Sequence, residues 1–448
     1  MAKEYLISDF LKRIKRPIDL EDNSEYKLVT IKMNHKGVTL REIKKGFEIK
    51  SNMYLVKEGD FILSGIDARN GAFGIITKEL EDAIVTNDFW YFEIDEGIIL
   101  KELFLELTAT SWFDEICKRG SDGTTQRIRL QKDKFFNQTV WLPEKDEQTN
   151  TLKKIKDVKE KIENLSIEKQ KQLQLTFSIK QSILKEAISG KLSSNWRENN
   201  QAKESAAELY KLIKKDKEKK VIEKIIKKEK ELGPISENEI PHEIPENWVW
   251  CRLGDLYSTT SGGTPLRANA SYWFGDITWY KSGELTDTYL DAESEEKISE
   301  IGLKESSATL FPKGTLLIAM YGATAGKLSI LNRDASTNQA ICGFFFNEFI
   351  ETKYLFYFLM AQRAKMISDS WGMSQPNISQ TYLRNFVFAL PPREEQKIII
   401  EKVELLMNKC LKLSQEIETL DKHGNTLMKA MFNETFETNK ILENEIDK

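Results

Sequence analysis

The sequence predicts an α+β protein in which two mixed α/β domains are each followed by one long helix. The first observation is a repeat, because segment 142–148 (LPEKDEQ) returns at 390–396 as LPPREEQ. The second is that apolar residues after each copy recur with a 4-3 spacing, which is typical of a coiled-coil helix. The third is that short apolar runs separated by Gly, Asn and Asp turns precede each copy, which indicates mixed domains. We therefore expect a tandem repeat.

The composition sets limits on the class of protein. At 448 residues the chain can hold two or three domains, and its formal net charge of −4 argues against a uniformly basic nucleic-acid binder. Local basic patches remain possible. The four cysteines are scattered without CxxC pairs or nearby histidine clusters, which argues against zinc and fits a reducing setting. Because no apolar run reaches membrane-spanning length and the first residues have no signal-peptide core, we expect a soluble cytoplasmic protein.

The elements follow one another in a definite order. The prediction is a first domain (1–146), a long helix (147–192), a charged helical linker (193–245), a second domain (246–393), a second long helix (394–437) and a tail (438–448). Shorter helices are predicted at about 100–117 and at 352–367, each followed by a polar loop, and Gly190 is expected to stop the first long helix.

The apolar stripe of each long helix is too narrow to form a core alone, so each helix needs a partner. The predicted seam residues are Ile155, Val158, Ile162, Leu165, Val403, Leu406, Cys410, Leu413, Ile417 and Leu420.

The linker is rich in lysine between residues 205 and 230, and its apolar pairs Leu209/Ile213 and Ile222/Ile226 do not fall on one stripe. Two interpretations stay open. The linker is a solvated helix, or its lysines contact a DNA backbone or a partner protein.

No motif indicates catalysis. Segment 321–328 (YGATAGKL) resembles a phosphate-binding loop, but it is one residue short between its glycines, and Leu328 stands where Ser or Thr would hold magnesium. The three histidines are isolated, and no Asn-Pro-Pro-Tyr or Asp-Pro-Pro-Tyr run exists. We therefore expect no catalytic residues, no metal and no ATP in this chain.

Polar loops at matching places in both domains are the candidate DNA-binding elements. Arg, Lys, Asn, Gln, Ser and Thr are the side chains that contact base edges and phosphates, although such residues also form ordinary turns. The candidates in the first domain are Arg69, Asn70, Arg119, Ser121, Thr124, Thr125 and Arg127. Those in the second domain are Thr264, Arg267, Tyr280, Lys281, Tyr321, Thr324, Lys327, Gln375 and Asn377.

Over nearly its whole length the chain resembles the specificity subunit of type I restriction–modification systems. The resemblance rests on the duplicated Leu-Pro-x-x-x-Glu-Gln segment, on 321–327 (YGATAGK), on 375–378 (QPNI) and on 186–192 (EAISGKL). The first domain departs from this pattern, because 64–69 (SGIDAR) and 123–128 (GTTQRI) replace the corresponding turn and loop.

The resemblance implies two target recognition domains, each reading one half of a split DNA sequence, and two long helices that pack antiparallel as a spacer with pseudo-two-fold symmetry. It also implies partners: two modification subunits that carry S-adenosylmethionine and methylate adenine, and two restriction subunits that use ATP and magnesium. The competing hypotheses are a coiled-coil scaffold that assembles proteins without reading DNA, and an enzyme with an unrecognised nucleophile.

Overall fold

A computed structural model of the chain describes residues 2–108, 111–123, 128–200, 202, 204–370 and 377–436, with side chains in the last helix described to residue 419. One compact unit holds the chain up to residue 169 together with the helical residues from 419 onward, and the other holds residues 170–418. The predicted α+β class, with two mixed domains that are each followed by a long helix, is confirmed.

The first domain consists mainly of short strands. Its strands are β1 (Ala2–Leu6), β2 (Leu11–Ile14), β3 (Pro17–Ile18), β4 (Glu25–Ile31), β5 (Val38–Lys45), β6 (Met53–Leu55), β7 (Phe61–Ser64), β8 (Phe73–Ile75), β9 (Ile84–Val85), β10 (Phe89–Ile94), β11 (Ser121–Asp122), β12 (Arg129–Leu130) and β13 (Thr139–Pro143). Its helices are α1 (Ile7–Phe10), α2 (Lys101–Thr108), α3 (Ser111–Arg119) and α4 (Lys132–Phe136), and the long helix α5 (Lys145–Ile188) follows.

Two sheets form the body of this domain, with strand orders β3-β6-β9-β4-β5 and β2-β10-β7-β8. Only the β4–β9 pair is parallel within them. The central strand β7 is buried along its whole length, as its run Phe-Ile-Leu-Ser predicts. Rings of Phe61, Phe73, Phe104 and Phe113 meet edge-on or tilted in the core between the second sheet and helices α2 and α3.

The second domain repeats this plan. After α6 (Ser194–Asn199) and α7 (Ala206–Ile222), its strands are β14 (Val249–Arg252), β15 (Thr259–Ser261), β16 (Trp273–Tyr280), β17 (Tyr289–Leu290), β18 (Glu296–Ile298), β19 (Leu310–Phe311), β20 (Leu316–Ala319), β21 (Leu328–Leu331), β22 (Ala335–Thr337), β23 (Ile341–Phe344) and β24 (Val387–Leu390). Its helices are α8 (Leu253–Leu256), α9 (Glu300–Lys304), α10 (Thr352–Asp369) and α11 (Gln380–Asn385), and the long helix α12 (Arg393–Phe436) follows.

The strand orders of the two domains correspond. The sheet β19-β22-β16-β18 matches β6-β9-β4-β5, including the parallel pair β16–β22, and the sheet β15-β23-β20-β21-β17 matches β2-β10-β7-β8 with one extra strand. In each domain a separate antiparallel pair, β1–β13 or β14–β24, leads into the long helix. The sequence repeat therefore marks a repeat of topology.

The repeated glutamine explains why the helix-entry segment recurs. Gln148 is buried, accepts a hydrogen bond from the backbone N–H of Leu100 (2.8 Å), and donates to the Pro143 carbonyl (2.9 Å). Gln396 is buried in the same way: it accepts from the N–H of Glu351 (2.9 Å) and donates to the Pro391 carbonyl (3.0 Å). Each glutamine thus connects the first turn of its long helix to the residue just before a shorter helix of the same domain, α2 or α10.

The linker contains the predicted helix, but one face of this helix is buried, which differs from the first of the two interpretations. Leu209 and Ile213 of α7 are buried in the core of the second domain, whereas Ile222 is 81% exposed. After Ile222 the linker is not helical except for one 3-10 turn, Glu237–Glu239, and it lies on the domain because buried Arg252 donates to the carbonyls of residues 233 and 234 and to Glu239.

The predicted seam is buried only in part. Ile155 lies in the core of the first domain, while Val403 and Cys410 lie in that of the second, and Ile417 is also buried. Val158, Ile162 and Leu406 are half-buried, Leu165 and Leu413 are 53% and 42% exposed, and the Leu420 side chain lies outside the described residues. On α12 the heptad position of 396, 403, 410 and 417 is therefore buried. The other position is buried at Ile399, half-buried at Leu406 and exposed at Leu413, so the buried stripe narrows along the helix.

Candidate nucleic-acid interface

The turn between β20 and β21 presents polar side chains at the edge of the second domain. A 3-10 turn, Gly322–Thr324, is held across its base by hydrogen bonds from the Ala319 N–H to the Lys327 carbonyl (2.9 Å) and from the Gly326 N–H to the Ala319 carbonyl (2.8 Å). Tyr321 is 37% exposed, and Thr324 and Lys327 are half-buried. The backbone is thus fixed while three of the predicted DNA-binding side chains remain at the surface.

The loop before α11 lies beside this turn. Asn377 forms an isolated antiparallel bridge with Tyr321, and the N–H of buried Ile378 donates to the Met320 carbonyl at 2.7 Å. Asn377 itself is exposed. Gln375 lies outside the described residues. The structure thus brings the predicted residues Tyr321 and Asn377 together although they are far apart in sequence.

A third loop joins the same edge. Thr264 donates its hydroxyl hydrogen to Gln339, which is exposed, and the Gly263 N–H donates to the Thr337 carbonyl at 2.9 Å. The Met320 N–H donates to the Ala340 carbonyl at 2.8 Å, which links this loop to the turn between β20 and β21. Gln339 was not predicted, although it directly follows the Thr-Asn pair that recurs at 86–87.

Three predicted residues are engaged within the protein instead. Tyr280 is 1% exposed, and its hydroxyl donates to the Ala292 carbonyl at 2.6 Å, so it is a core residue. Lys281 pairs with Glu295 and with Glu296, and hydrogen bonds to these carboxylates raise its pKa. The Arg267 guanidinium lies 3.9 Å from the Trp273 ring centroid and hydrogen-bonds Glu296, whose pKa it lowers. Sequence alone does not show these partners, because each ion pair depends on how β16 and β18 align.

In the first domain the corresponding turn carries Arg69, half-buried, and Asn70, exposed, within the 3-10 turn Ala68–Asn70. The N–H of Leu130 donates to the Gly65 carbonyl at 2.7 Å, so the loop after α3 lies beside this turn. This hydrogen bond corresponds to the one between Ile378 and Met320 in the second domain.

The remaining predicted residues of the first domain lie on that loop. Arg119 is exposed at the end of α3, and the Ser121 hydroxyl donates back to the Cys117 carbonyl at 2.7 Å. Thr124, Thr125 and Arg127 lie outside the described residues. The described residues contain no group of His, Cys, Asp or Glu side chains placed to hold a metal ion.

A comparison with models of protein families identifies the family of the chain. The family model described as the type I restriction modification DNA specificity domain matches residues 5–175 and again residues 245–420. The chain belongs to this family. Both matches contain one α/β domain and the first part of the long helix after it, so the repeat seen in the sequence is a repeat of the family's domain.

Curated relatives agree with this assignment. The chain is 30% identical over 253 residues to the type I restriction enzyme EcoAI specificity subunit of Escherichia coli, a match that covers 54% of this chain and 41% of that protein. It is 23% identical over 418 residues to the HindI specificity subunit of Haemophilus influenzae, which covers 84% of this chain and 86% of that protein. The matches to the EcoAI subunit and to the MjaIX subunit of Methanocaldococcus jannaschii, at 41% and 50% of their lengths, span half or less of each relative.

Solved structures share the fold. The HsdS subunit from Thermoanaerobacter tengcongensis aligns with a TM-score of 0.58 at 14% identity, covering 98% of this chain and 97% of that one. A chain from a structure of complex assembly and conformational transition in a type I R-M system aligns with a TM-score of 0.64 at 14% identity, covering 97% of each. No helix among the described residues of this member of the specificity family is long and apolar enough to span a membrane.

Proposed function

We propose that this specificity subunit binds DNA sequence-specifically, with each domain reading one half of a bipartite target. The observation that carries the proposal is that the same backbone hydrogen bond holds the loop against the turn in both domains. The Leu130 N–H donates to the Gly65 carbonyl in the first domain, and the Ile378 N–H donates to the Met320 carbonyl in the second. The scaffold is the same, but the side chains on the two turns differ. A shared scaffold with different exposed polar groups suits two domains that read different base sequences.

The chemistry of the second-domain edge fits base readout. The Asn377 amide can donate and accept hydrogen bonds, and so can the Thr324 hydroxyl. The Lys327 ammonium can donate to a guanine edge or to a phosphate. Tyr321 can donate through its hydroxyl or stack on a base. Because the net charge of the chain is −4, we propose that partner subunits supply part of the attraction to the DNA backbone.

The proposed partners complete the activity. In this proposal the long helices set the number of unread bases between the half-sites and dock two modification subunits, which bind S-adenosylmethionine and methylate adenine. Two restriction subunits, which use ATP and magnesium, join the complex. This chain contributes no catalytic residue and works in the cytoplasm. The sequence similarity to specificity subunits supports these assignments.

The test is to map methylated adenines by long-read sequencing in DNA from cells that express this chain with its modification partner. We expect one bipartite motif with a fixed gap. The double variant Tyr321→Ala/Asn377→Ala should relax one half of the motif by about tenfold, since one good base contact contributes roughly 1–3 kcal/mol of discrimination. The matched control is Tyr289→Ala, which removes another exposed tyrosine of the second domain (44% exposed). Methylation without any sequence preference would contradict the proposal and favour a scaffold.

A further inference from the structure

The hairpin of β4 and β5 ends in a loop that stands out from the first domain. This hairpin tip, residues 32–37, is closed by a hydrogen bond from the Lys32 N–H to the Gly37 carbonyl at 2.9 Å. Residues 32–36 are all exposed, and Asn34 and His35 both have left-handed backbones, with φ of 59° and 57°. Such φ values are uncommon outside glycine and occur most often for Asn, Asp and His. The tip is thus a defined structure that projects five side chains.

The hairpin tip is fastened to the turn that carries Arg69 and Asn70. The Asn34 N–H donates to the Asn70 carbonyl at 2.8 Å, and the His35 N–H donates to the Gly71 carbonyl at 3.0 Å. The His35 Nε2 lies 3.0 Å from Asp114 Oδ2 on α3, and its ring meets Phe73 edge-on at 5.1 Å. These contacts join tip, turn and helix into one continuous surface.

Gly71 makes this close approach possible. Its φ is +72°, and a Cβ atom there would lie 2.9 Å from His35 Cδ2. Any side chain at 71 would therefore push the tip away from the turn. The contact requires glycine at this position.

The second domain contains a similar arrangement in which the acidic side chain lies on the connection and the basic side chain lies on the helix. Asp287, also left-handed with φ of 61°, lies in the connection after β16, the strand that corresponds to β4, and its N–H donates to the Leu328 carbonyl at 2.8 Å. Its carboxylate pairs with Arg363 on α10, and Arg363 Nε donates to the Gly326 carbonyl of the turn at 2.8 Å. In each domain, therefore, a side-chain pair to a helix holds the connection after the equivalent strand against the polar turn.

The exposed side chains of the hairpin tip suit a DNA groove. The tip has two lysines and no acidic residue, and the major groove admits a two-stranded β-ribbon. An asparagine amide can make two hydrogen bonds to adenine, an apolar side chain can contact the thymine methyl group, and lysines bind phosphates. Met33 is 49% exposed beside Asn34.

We propose that the hairpin tip is a base-reading element of the first domain. Asn34 and Met33 determine specificity, Lys32 and Lys36 bind the DNA backbone, and the His35–Asp114 pair positions the tip. This inference rests on the proposed function, because it names a reading element of one of the two domains.

The test uses the chain in complex with its modification partner. Met33→Ala/Asn34→Gly removes both reading side chains, and glycine keeps the left-handed backbone at position 34 free of strain. We expect this variant to lose at least about fivefold discrimination at one or more positions in one half of the methylated motif, with the other half unchanged. Lys32→Ala/Lys36→Ala should keep the motif and reduce the slope of log affinity against log salt by up to about 2.

The matched control is Lys50→Ala, an exposed lysine beyond the far end of β5. It should change neither the motif nor the salt slope. Folding is checked by thermal unfolding, and assembly by size-exclusion chromatography with the modification partner.

The outcomes separate the two proposals. If the unmodified chain directs no bipartite methylation, the proposed function fails. If the unmodified chain does so and the folded Met33/Asn34 variant keeps full discrimination at every position of the motif, the hairpin inference alone fails. A folded tip variant that no longer assembles with the modification partner also overturns it, because the tip would then be a protein contact. Should the Met33/Asn34 double variant not fold, the single variant Asn34→Gly, mapped in the same way, decides.

Discussion

At the N-terminus of α12, the carboxylate of Glu395 is fully buried and serves four donors. It accepts hydrogen bonds from the Ser193 hydroxyl (2.7 Å), the Trp248 indole (2.9 Å) and the Asn247 amide (3.2 Å), and it pairs with Arg197. Ser193 and Arg197 belong to the start of the linker, and Asn247 and Trp248 directly follow its end. A single side chain therefore fastens the linker to the long helix, which explains why a carboxylate can be buried here.

Replacing Glu395 should be costly because its donors would be left without their acceptor. We expect Glu395→Ala to lower the free energy of unfolding by roughly 3 kcal/mol, the range for breaking one partner of a buried ion pair. Urea denaturation followed by tryptophan fluorescence measures the change, since Trp248 is one of the donors. The control is Glu401→Ala on the exposed face of α12, expected to stay within about 0.5 kcal/mol. Equal effects of the two substitutions would mean that the buried network contributes nothing.

At the scale of elements, α7 shows why a charged helix need not be solvated. Its sequence contains many lysines and only one i, i+4 apolar pair on the packed face, Leu209 and Ile213. That pair packs against α8 and β14 of the second domain, and Ser205 caps the helix by accepting the Glu208 N–H at 3.3 Å. Most of the lysines lie at the surface, whereas Lys217 is half-buried and donates to the Gly254 carbonyl at 2.5 Å and to the Tyr257 carbonyl at 3.2 Å.

The packed face should therefore be sensitive to truncation. We expect Leu209→Ala to lower the free energy of unfolding by about 2–5 kcal/mol, the range for truncating a buried leucine. Ile222→Ala, at the exposed end of the same helix, should change it by less than about 0.5 kcal/mol. Chemical denaturation of the two variants makes the comparison. If Leu209→Ala left the free energy of unfolding unchanged, the interpretation of the linker as a solvated helix would be correct.

Local signals in the sequence predicted the elements better than the contacts between them. The duplicated Leu-Pro-x-x-x-Glu-Gln segment placed the starts of both long helices within two residues, and the stop at Gly190 agrees with the end of α5 at Ile188. Gly190 has φ of +74°, which favours glycine after a helix. The signals for helix entry and exit lie next to the element that they affect, so one sequence suffices to see them.

Contacts between distant residues gave no such signal. From the sequence alone, Tyr280 was predicted to contact DNA, because its buried hydrogen bond to the Ala292 carbonyl exists only in the folded protein. Likewise, the His35–Asp114 pair joins residues that lie 79 apart in the sequence. The 4-3 spacing on α12 likewise predicted two buried heptad positions, whereas only the position of 403, 410 and 417 stays buried. The other position is buried at Ile399 but exposed at Leu413, because its burial depends on what packs against each part of the helix. Such features depend on the tertiary fold.

At the scale of the whole chain, the proposed function makes the long helices a ruler for the DNA target. The buried heptad position on α12 contains Val403, Cys410 and Ile417, so an insertion of seven residues keeps the same face in place. An insertion of two residues would instead turn that face away by about 200°, at 3.6 residues per turn. Helix length can therefore be changed with or without a change of face.

We expect seven residues inserted after both Leu165 and Leu413 to lengthen the unread gap of the methylated motif. Each insertion adds roughly 10 Å at about 1.5 Å per residue, which corresponds to about three base pairs at ~3.4 Å per pair. Both half-sites should keep their sequence, because neither domain is altered. The two-residue insertion at the same places is the control, and it should abolish folding or assembly, as judged by thermal unfolding and size-exclusion chromatography. Methylation mapping gives the gap directly. A seven-residue variant that is fully active with an unchanged gap would show that the helices do not measure the target.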